Sequence, residues 1–332
     1  MDCYATPLAW RMPAPNLHWL AARLKLRHFT LLTELDRSRS ISRAARQLGL
    51  AQPTVTRALA EIESIFMVPL FTRGRRGLEP TVAGQLVLAR ARRGLADAEA
   101  LGQDLAALGT GRQGLLRVGV IPFLSRQTQD TMWQYLLALQ PRLGFVVEEA
   151  TTDVLQKAVH ARRLDCAVCR FTSAGTEAGL AQQLLYHQEP RLVVSRAAAE
   201  RLARRGLDWQ AFVSLQWIFP PQHTPIREMI HSIFALAGQA VPVPFMEAYA
   251  QKTLTTVLRH MPDAVTILPD DIAQEVADLS GARVMPQRLK WQLPPVGMVR
   301  LPDGTHATLV DALAQCILQA VGATPGLGPD PA

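Results

Sequence analysis

The chain is 332 residues long, 48% apolar and 19% charged, which excludes global disorder and leaves room for two or three domains with separate cores. Its net charge of +7 is segregated: residues 1–114 hold 16 Lys and Arg against 9 Asp and Glu, whereas the remainder carries 19 of each. A basic third joined to a neutral remainder points to a polyanion such as DNA, and no run of 18 apolar residues is present to span a membrane.

Residues 1–16 read as a flexible, proline-rich arm. Leu20, Leu24, Leu26, Phe29, Leu32 and Leu35 recur at helical spacing and predict one helix from Leu17 to Leu35. Ser40 follows as an N-cap for a short helix from Ile41 to Leu48, stopped by Gly49. Ala44 and Ala45 on its buried side are small enough to let another helix cross closely. That second helix runs from about Gln52 to Ile65, with Pro53 in its first turn and Val55, Leu59, Ile62 and Phe66 as the inward stripe. Its outward face is Gln52, Thr54, Thr56, Arg57, Ala60 and Glu61, short polar groups with one arginine, suited to base edges and phosphates. Pro69 to Thr72 and Leu78 to Pro80 are expected to pair as strands around a glycine-flexed tip that carries Arg73, Arg75 and Arg76. Two helices followed by an arginine-rich hairpin make a helix-turn-helix with a wing.

Thr81 can cap a long helix from about Val82 to Leu108 without an internal proline. Leu86, Ala89, Arg93, Ala96, Ala100, Gln103 and Ala107 follow an approximate heptad, so pairing with a second subunit is expected. Gly109 to Gly114 has the composition of a hinge. Beyond it, strands and helices alternate as in an α/β domain. Strands are expected at Leu115 to Ile121, Phe145 to Glu149, Asp165 to Arg170, Leu192 to Val194, Trp217 to Phe219, Val265 to Leu268 and Val296 to Val299. Helices are expected at Leu124 to Leu139, Asp153 to Ala161, 226–237 and 306–321, and residues 323–332 form a tail.

Several motifs together make a specific resemblance. They are Leu26-Arg27-His28-Phe29, Ser42 to Leu48, Gln52 to Arg57, Leu59 to Glu63, Pro69-Leu70-Phe71, Arg73, Thr81 and Ala83-Gly84, with looser matches at Leu116 to Gly119, Leu164-Asp165 and Leu268-Pro269. In order and at family spacing, they make the chain resemble a LysR-type transcriptional regulator over nearly its full length. The resemblance implies a winged helix-turn-helix over residues 17–81, a dimerising linker helix and hinge over 82–114, and an effector-binding domain over 115–322 like a type 2 periplasmic binding protein. Lobe I would span about 115–190 and 293–322, lobe II about 191–292, joined by two crossover strands with the ligand between them. It also implies a homo-oligomer, a dimer through the linker helix and a tetramer on promoter DNA, with RNA polymerase as a further partner. DNA contacts carried over onto matching positions are Gln52, Pro53, Thr54, Thr56 and Arg57 on the second helix and Arg73, Arg75 and Arg76 on the wing. The chain departs from the family in the arm before Leu17, which a start at Met12 would shorten. It also carries Met67 where the family commonly has glycine, at the turn after the second helix.

Ligands of open α/β sheets collect at the carboxyl ends of strands, near helix N-termini. That rule selects Ser125, Thr151, Thr152, Arg170, Phe171, Phe219, His223 and Thr224, with hydroxyls and Arg170 for a small carboxylate and the phenylalanines as apolar walls. Helix capping is the plainer alternative for the hydroxyls, and a surface ion pair for Arg170. An organic acid, aromatic or sugar-derived, is the expected effector. Cys166 and Cys169 have a C-x-x-C spacing, but on a strand they face opposite sides and cannot close on one ion. The histidines are dispersed, so no metal is expected, and no cofactor. Without a P-loop, nucleophile elbow or zinc-protease motif the chain does not read as an enzyme. The alternative is a solute-binding or enzymatic α/β protein with an incidental basic head. Residues 1–20 lack a basic start and are broken by prolines, and the cysteines are few, so a cytoplasmic home is expected.

Overall fold

The computed structural model describes residues 17–322, apart from 75–76, 110–113, 141, 172–178, 206–208, 287–288 and 290–291. The expected arm and tail therefore lie outside the described residues. The chain divides into two compact units, Met1–Leu101 and Gly102–Ala332.

The first unit opens with α1 (Leu17–Arg23) and α2 (Leu26–Ser38), where the sequence predicts one helix. The apolar spacing runs on through the break, so periodicity does not reveal it. The break is fixed locally: the Lys25 N–H donates to His28 Nδ1 at 3.4 Å and starts α2 afresh. In α3 (Ile41–Gln47) the Ser40 hydroxyl accepts from the Arg43 N–H, as its cap position predicts, and Gly49 turns the chain at φ +65°. Then comes α4 (Gln52–Phe66), closed by Met67 in the left-handed conformation at φ +54°. The turn the family fills with glycine is thus retained, with a side chain strained into it.

Strands β1 (Phe71–Gly74) and β2 (Gly77–Pro80) pair antiparallel, Arg73 opposite Leu78. Next, α5 (Val82–Gly109) is capped by Thr81, whose Oγ1 accepts from the Gly84 N–H at 3.0 Å. Gly84 is required there, because a Cβ would lie 2.0 Å from the Leu70 carbonyl oxygen. Leu32, Leu35, Val55, Ile62 and Leu70 are fully enclosed in the core between α2, α3, α4 and the hairpin. Each such aliphatic contributes about 1.5–3 kcal/mol by leaving water. The expected outward residues Gln52, Pro53, Thr54, Thr56, Arg57, Ala60 and Glu61 are all exposed.

The second unit has two lobes. Lobe I begins with β3 (Leu115–Val120), α6 (Arg126–Leu137), β4 (Gly144–Glu149), α7 (Thr152–His160), β5 (Cys166–Arg170) and β6 (Ala181–Tyr186). Lobe II follows with β7 (Pro190–Val194), α8 (Arg196–Arg205), α9 (Trp209–Val213), β8 (Gln216–Phe219) and α10 (Pro225–Leu236). It continues through β9 (Met246–Glu247), α11 (Gln251–His260), β10 (Ala264–Pro269), α12 (Asp270–Ser280) and β11 (Arg283–Val284). The chain returns to lobe I as β12 (Val296–Arg300) and α13 (Ala307–Gly322).

Lobe I's sheet has the order β4-β3-β5-β12-β6, and lobe II's the order β11-β7-β10-β8-β9. In each, one long-range strand runs antiparallel to a parallel set: β12 against β5, and β7 against β10. Central strands β5 and β10 are buried along their whole length, which explains why they read as apolar runs interrupted only by Arg170 and Thr266. The chain crosses between lobes twice, between β6 and β7 and between β11 and β12. Among the described residues no helix is long and apolar enough to cross a membrane.

Candidate functional site

The first unit presents the amino end of α4. The Ser42 hydroxyl donates to Gln52 Oε1 at 3.0 Å, fixing the Gln52 side chain against the helix that precedes it. The Thr56 hydroxyl donates back to the Gln52 carbonyl at 3.1 Å. Gln52, Thr54, Thr56 and Arg57 therefore project from a rigid element whose other face is core. Arg73 is exposed on β1, while Arg75 and Arg76 lie outside the described residues. Behind this surface, Glu63 on α4 accepts from the Leu70 N–H at 2.7 Å and the Phe71 N–H at 3.2 Å. One carboxylate thus ties α4 to the root of the β1–β2 hairpin. The sequence offers Glu63 only as part of a motif and does not reveal this tie, because a helical glutamate bonded to a backbone downstream leaves no periodic signal.

In the second unit Arg170 ends β5 with 0% of its surface exposed, so it is not a surface ion pair. Its Nη1 donates to the Pro294 carbonyl at 2.7 Å, and its Nη2 to Gln188 Oε1 at 2.5 Å. Gln188 then donates through Nε2 to both oxygens of Asp271, at 2.8 and 2.9 Å. Lobe I, both crossings and the start of α12 in lobe II are joined by this one polar chain. Desolvation raises the Asp271 carboxyl above its ordinary range, against the opposing hydrogen bond from Gln188. Tyr249 of lobe II stacks edge-on against Phe123 of lobe I, ring centres 4.8 Å apart, and burial pushes its phenol up to about 12.

The other selected residues are distributed around this contact. Thr152 is buried and its hydroxyl accepts from the Arg170 N–H at 3.3 Å. Ser125 caps α6, accepting from the Thr128 N–H at 3.1 Å, and its own N–H donates to the Tyr186 hydroxyl at 3.1 Å. The Thr151 hydroxyl donates to Asp153 at 2.6 Å. Phe171 is half-buried with its ring edge over Gly297, where a Cβ would sit 2.2 Å from the ring. Phe219, expected as a wall, is fully enclosed in the lobe II core between Trp217 and the Arg227 guanidinium, which lies 4.5 Å from its ring centre. It supports the lobe from within. His223 is exposed at φ +67°, and Thr224 caps α10 by accepting from the Arg227 N–H. Among the described residues no hydrogen bond joins these two to Arg170 or Thr152. Gln188 and Tyr249 follow β6 and β9, strands that the sequence does not announce, whereas Asp271 lies just past the predicted strand β10 and the strand-end rule could have selected it.

A second buried arginine anchors the end of α5. Arg117, 7% exposed on β3, donates to Gln103 through Nε and Nη2 at 3.0 and 2.7 Å, and its N–H donates to Asp165 at 2.7 Å. Cys166 and Cys169 are buried within lobe I; desolvation pushes both thiols up, that of Cys169 to about 12, so neither is a thiolate at neutral pH.

The model of the bacterial regulatory helix-turn-helix proteins of the lysR family matches residues 26–85, and that of the LysR substrate binding domain matches residues 109–322. The HTH-type transcriptional regulator GbpR of Azospirillum brasilense is 27% identical over 303 residues, covering 88% of this chain and 85% of that protein. The HTH-type transcriptional regulator GalR of Pseudomonas putida is 27% identical over 300 residues, covering 89% and 74%. Among solved structures, CbnR, a LysR family transcriptional regulator, superposes with a TM-score of 0.57 at 17% identity over 90% of this chain and 99% of that one. Full-length OxyR from Pseudomonas aeruginosa gives 0.55 at 18% identity over 93% and 99%. At those identities the likeness speaks for the fold.

Proposed function

Because the chain belongs to the LysR family, and so is a DNA-binding transcriptional regulator with an effector-binding domain rather than an enzyme, we propose that it reads its operator through Gln52, Pro53, Thr54, Thr56 and Arg57 and answers to a small organic acid held between its two lobes. The observation that carries the first half is the exposed polar start of α4 on the part of the chain that holds the whole net positive charge. Gln52 suits a bidentate pair with adenine, Arg57 a guanine or a phosphate, and each good base contact is worth roughly 1–3 kcal/mol. Arg73, Arg75 and Arg76 would follow the backbone from the wing. Arg57→Ala should abolish a specific band shift while leaving the oligomer intact; undiminished promoter binding contradicts the assignment.

The effector half is supported by Arg170, Thr152, Ser125, Thr151, Phe171, His223 and Thr224 near strand ends of the two lobes, with a buried cation among them. Calorimetry against a panel of organic acids tests it. For assembly, α5 leaves Leu86, Leu101, Leu105 and Leu108 more than half exposed, a surface fit for pairing with a second copy as a dimer, two dimers making a tetramer. Sedimentation of the full chain reads that stoichiometry. On this reading the protein works in the cytoplasm, where RNA polymerase is its further partner.

A further inference from the structure

The contact between the lobes holds a charge that no carboxylate touches among the described residues. Arg170 is wholly buried, yet both acceptors of its terminal nitrogens, the Pro294 carbonyl and the Gln188 amide oxygen, are neutral. Asp271 is reached only through the Gln188 amide. Among the described residues the buried Nε–H of Arg170 has no acceptor. A guanidinium stripped of water is costly unless an anion meets it, and a neutral amide and carbonyl return only part of that cost. The shape of the group adds direction: Nε and Nη2 form the side edge of the guanidinium, the fork that a carboxylate engages with two parallel hydrogen bonds. On this edge Nε is unpartnered and Nη2 is held by Gln188.

We propose that the carboxylate of the effector engages the Nε and Nη2 edge of Arg170, displaces the Gln188 amide oxygen, and so disconnects Arg170 of lobe I from Asp271 of lobe II. Recognition of the charge and release of the lobes are then one event. A ligand without an anionic group has nothing to offer that edge, leaves Gln188 in place, and is no effector. The inference rests on the organic-acid reading above and names how that acid is sensed. Gln188 acts as a positioning residue: it spans the first crossing, beside the Asp270 N–H bond to the Glu189 carbonyl that fixes the same crossing to α12.

The test moves the charge without changing its total. In the double variant Gln188→Glu with Asp271→Asn, a carboxylate of the protein itself meets the guanidinium and an amide takes the place of Asp271. Affinities for benzoate, succinate and gluconate, measured by calorimetry on the full chain with benzyl alcohol and succinamide as uncharged controls, should fall at least tenfold, and the unfolding midpoint should not drop below wild type. Gln188→Ala, which frees Nη2 in advance, should bind the acids at least as tightly as wild type while losing the acid-induced change in the promoter footprint; weaker acid binding by this variant overturns the displacement. Equal acid binding by the double variant and wild type overturns the proposal but leaves the organic-acid reading standing. If no acid binds wild type, the organic-acid reading fails. The midpoint then decides the local claim: a double variant less stable than wild type overturns it, and one at least as stable upholds an uncompensated cation at Arg170.

Discussion

Replacing Glu63 by alanine removes the single carboxylate that joins α4 to the wing root. Its Oε1 is the acceptor for both the Leu70 and the Phe71 N–H, and those residues are 0% and 7% exposed, so water does not readily take its place. A buried donor left without a partner costs roughly 1–3 kcal/mol, so two donors with some relaxation give about 2–4 kcal/mol. For a domain of this size each kcal/mol moves the midpoint by about 4–8 °C, so the first unit should melt on the order of 10–20 °C earlier. Glu63→Gln keeps an acceptor oxygen and should cost only about 1 kcal/mol. The measurement is calorimetric unfolding of the full chain, where the transition of the DNA-binding unit should move and that of the two-lobed unit should not. Promoter affinity of Glu63→Ala should fall as well, since Arg73 stands two residues beyond Phe71. An alanine variant within about 0.5 kcal/mol of wild type, or a glutamine variant as unstable as alanine, refutes the reasoning.

Met67→Gly should stabilise the first unit by about 1 kcal/mol, because φ +54° costs a side chain and not a glycine; urea unfolding reads it, and a loss of stability speaks against strain at this turn. Arg117→Ala removes both hydrogen bonds to Gln103 and the ion pairs to Asp104 and Asp165, while the backbone N–H bond to Asp165 stays; it should cost about 2–4 kcal/mol, with amide exchange of residues 103–109 rising first, and unchanged protection there contradicts Arg117 as the anchor of α5. For Asp271, burial holds the native carboxyl above its ordinary 3.8, so the native state binds that proton more tightly than the unfolded chain. Its contribution to stability is full below about 3.8 and fades as pH rises through the raised native value. Asp271→Asn cannot titrate, so denaturant midpoints taken from acid to neutral pH should show the variant gaining on wild type across that window; a difference constant with pH contradicts the burial argument.

Much of this architecture is legible in the residues because local rules agree with the fold. Ser40, Pro53 and Thr81 mark helix starts that the structure keeps, and the stripe Val55, Leu59 and Ile62 faces the core. Strands β5 and β10, apolar but for Arg170 and Thr266, announce themselves. What was hidden had physical reasons. The break between α1 and α2 lies inside an unbroken apolar period. Helix α12 starts at the residue after β10, with no turn signal between them, and strands β9 and β11 are two residues long. Helix α8 builds its apolar face mostly from alanines, with Leu202 as its one large apolar side chain. The interlobe polar chain joins residues 18 and 83 positions apart, and only the folded backbone brings Arg170, Gln188 and Asp271 together. Phe219 shows the reverse error: it stands at the right strand end, yet its ring turns into the lobe.

The central claim is that the basic first unit grips duplex phosphates while α4 distinguishes one base sequence from another. Fluorescence anisotropy of the purified full chain, with the duplex immediately upstream of its own gene and an unrelated duplex of equal length, tests it across a salt series. Preference for the upstream duplex should be at least a hundredfold, affinity should fall on the order of a thousandfold between about 50 and 200 mM salt, and Arg57→Ala should erase the preference. Equal binding to both duplexes by wild type, or binding indifferent to salt, contradicts the account.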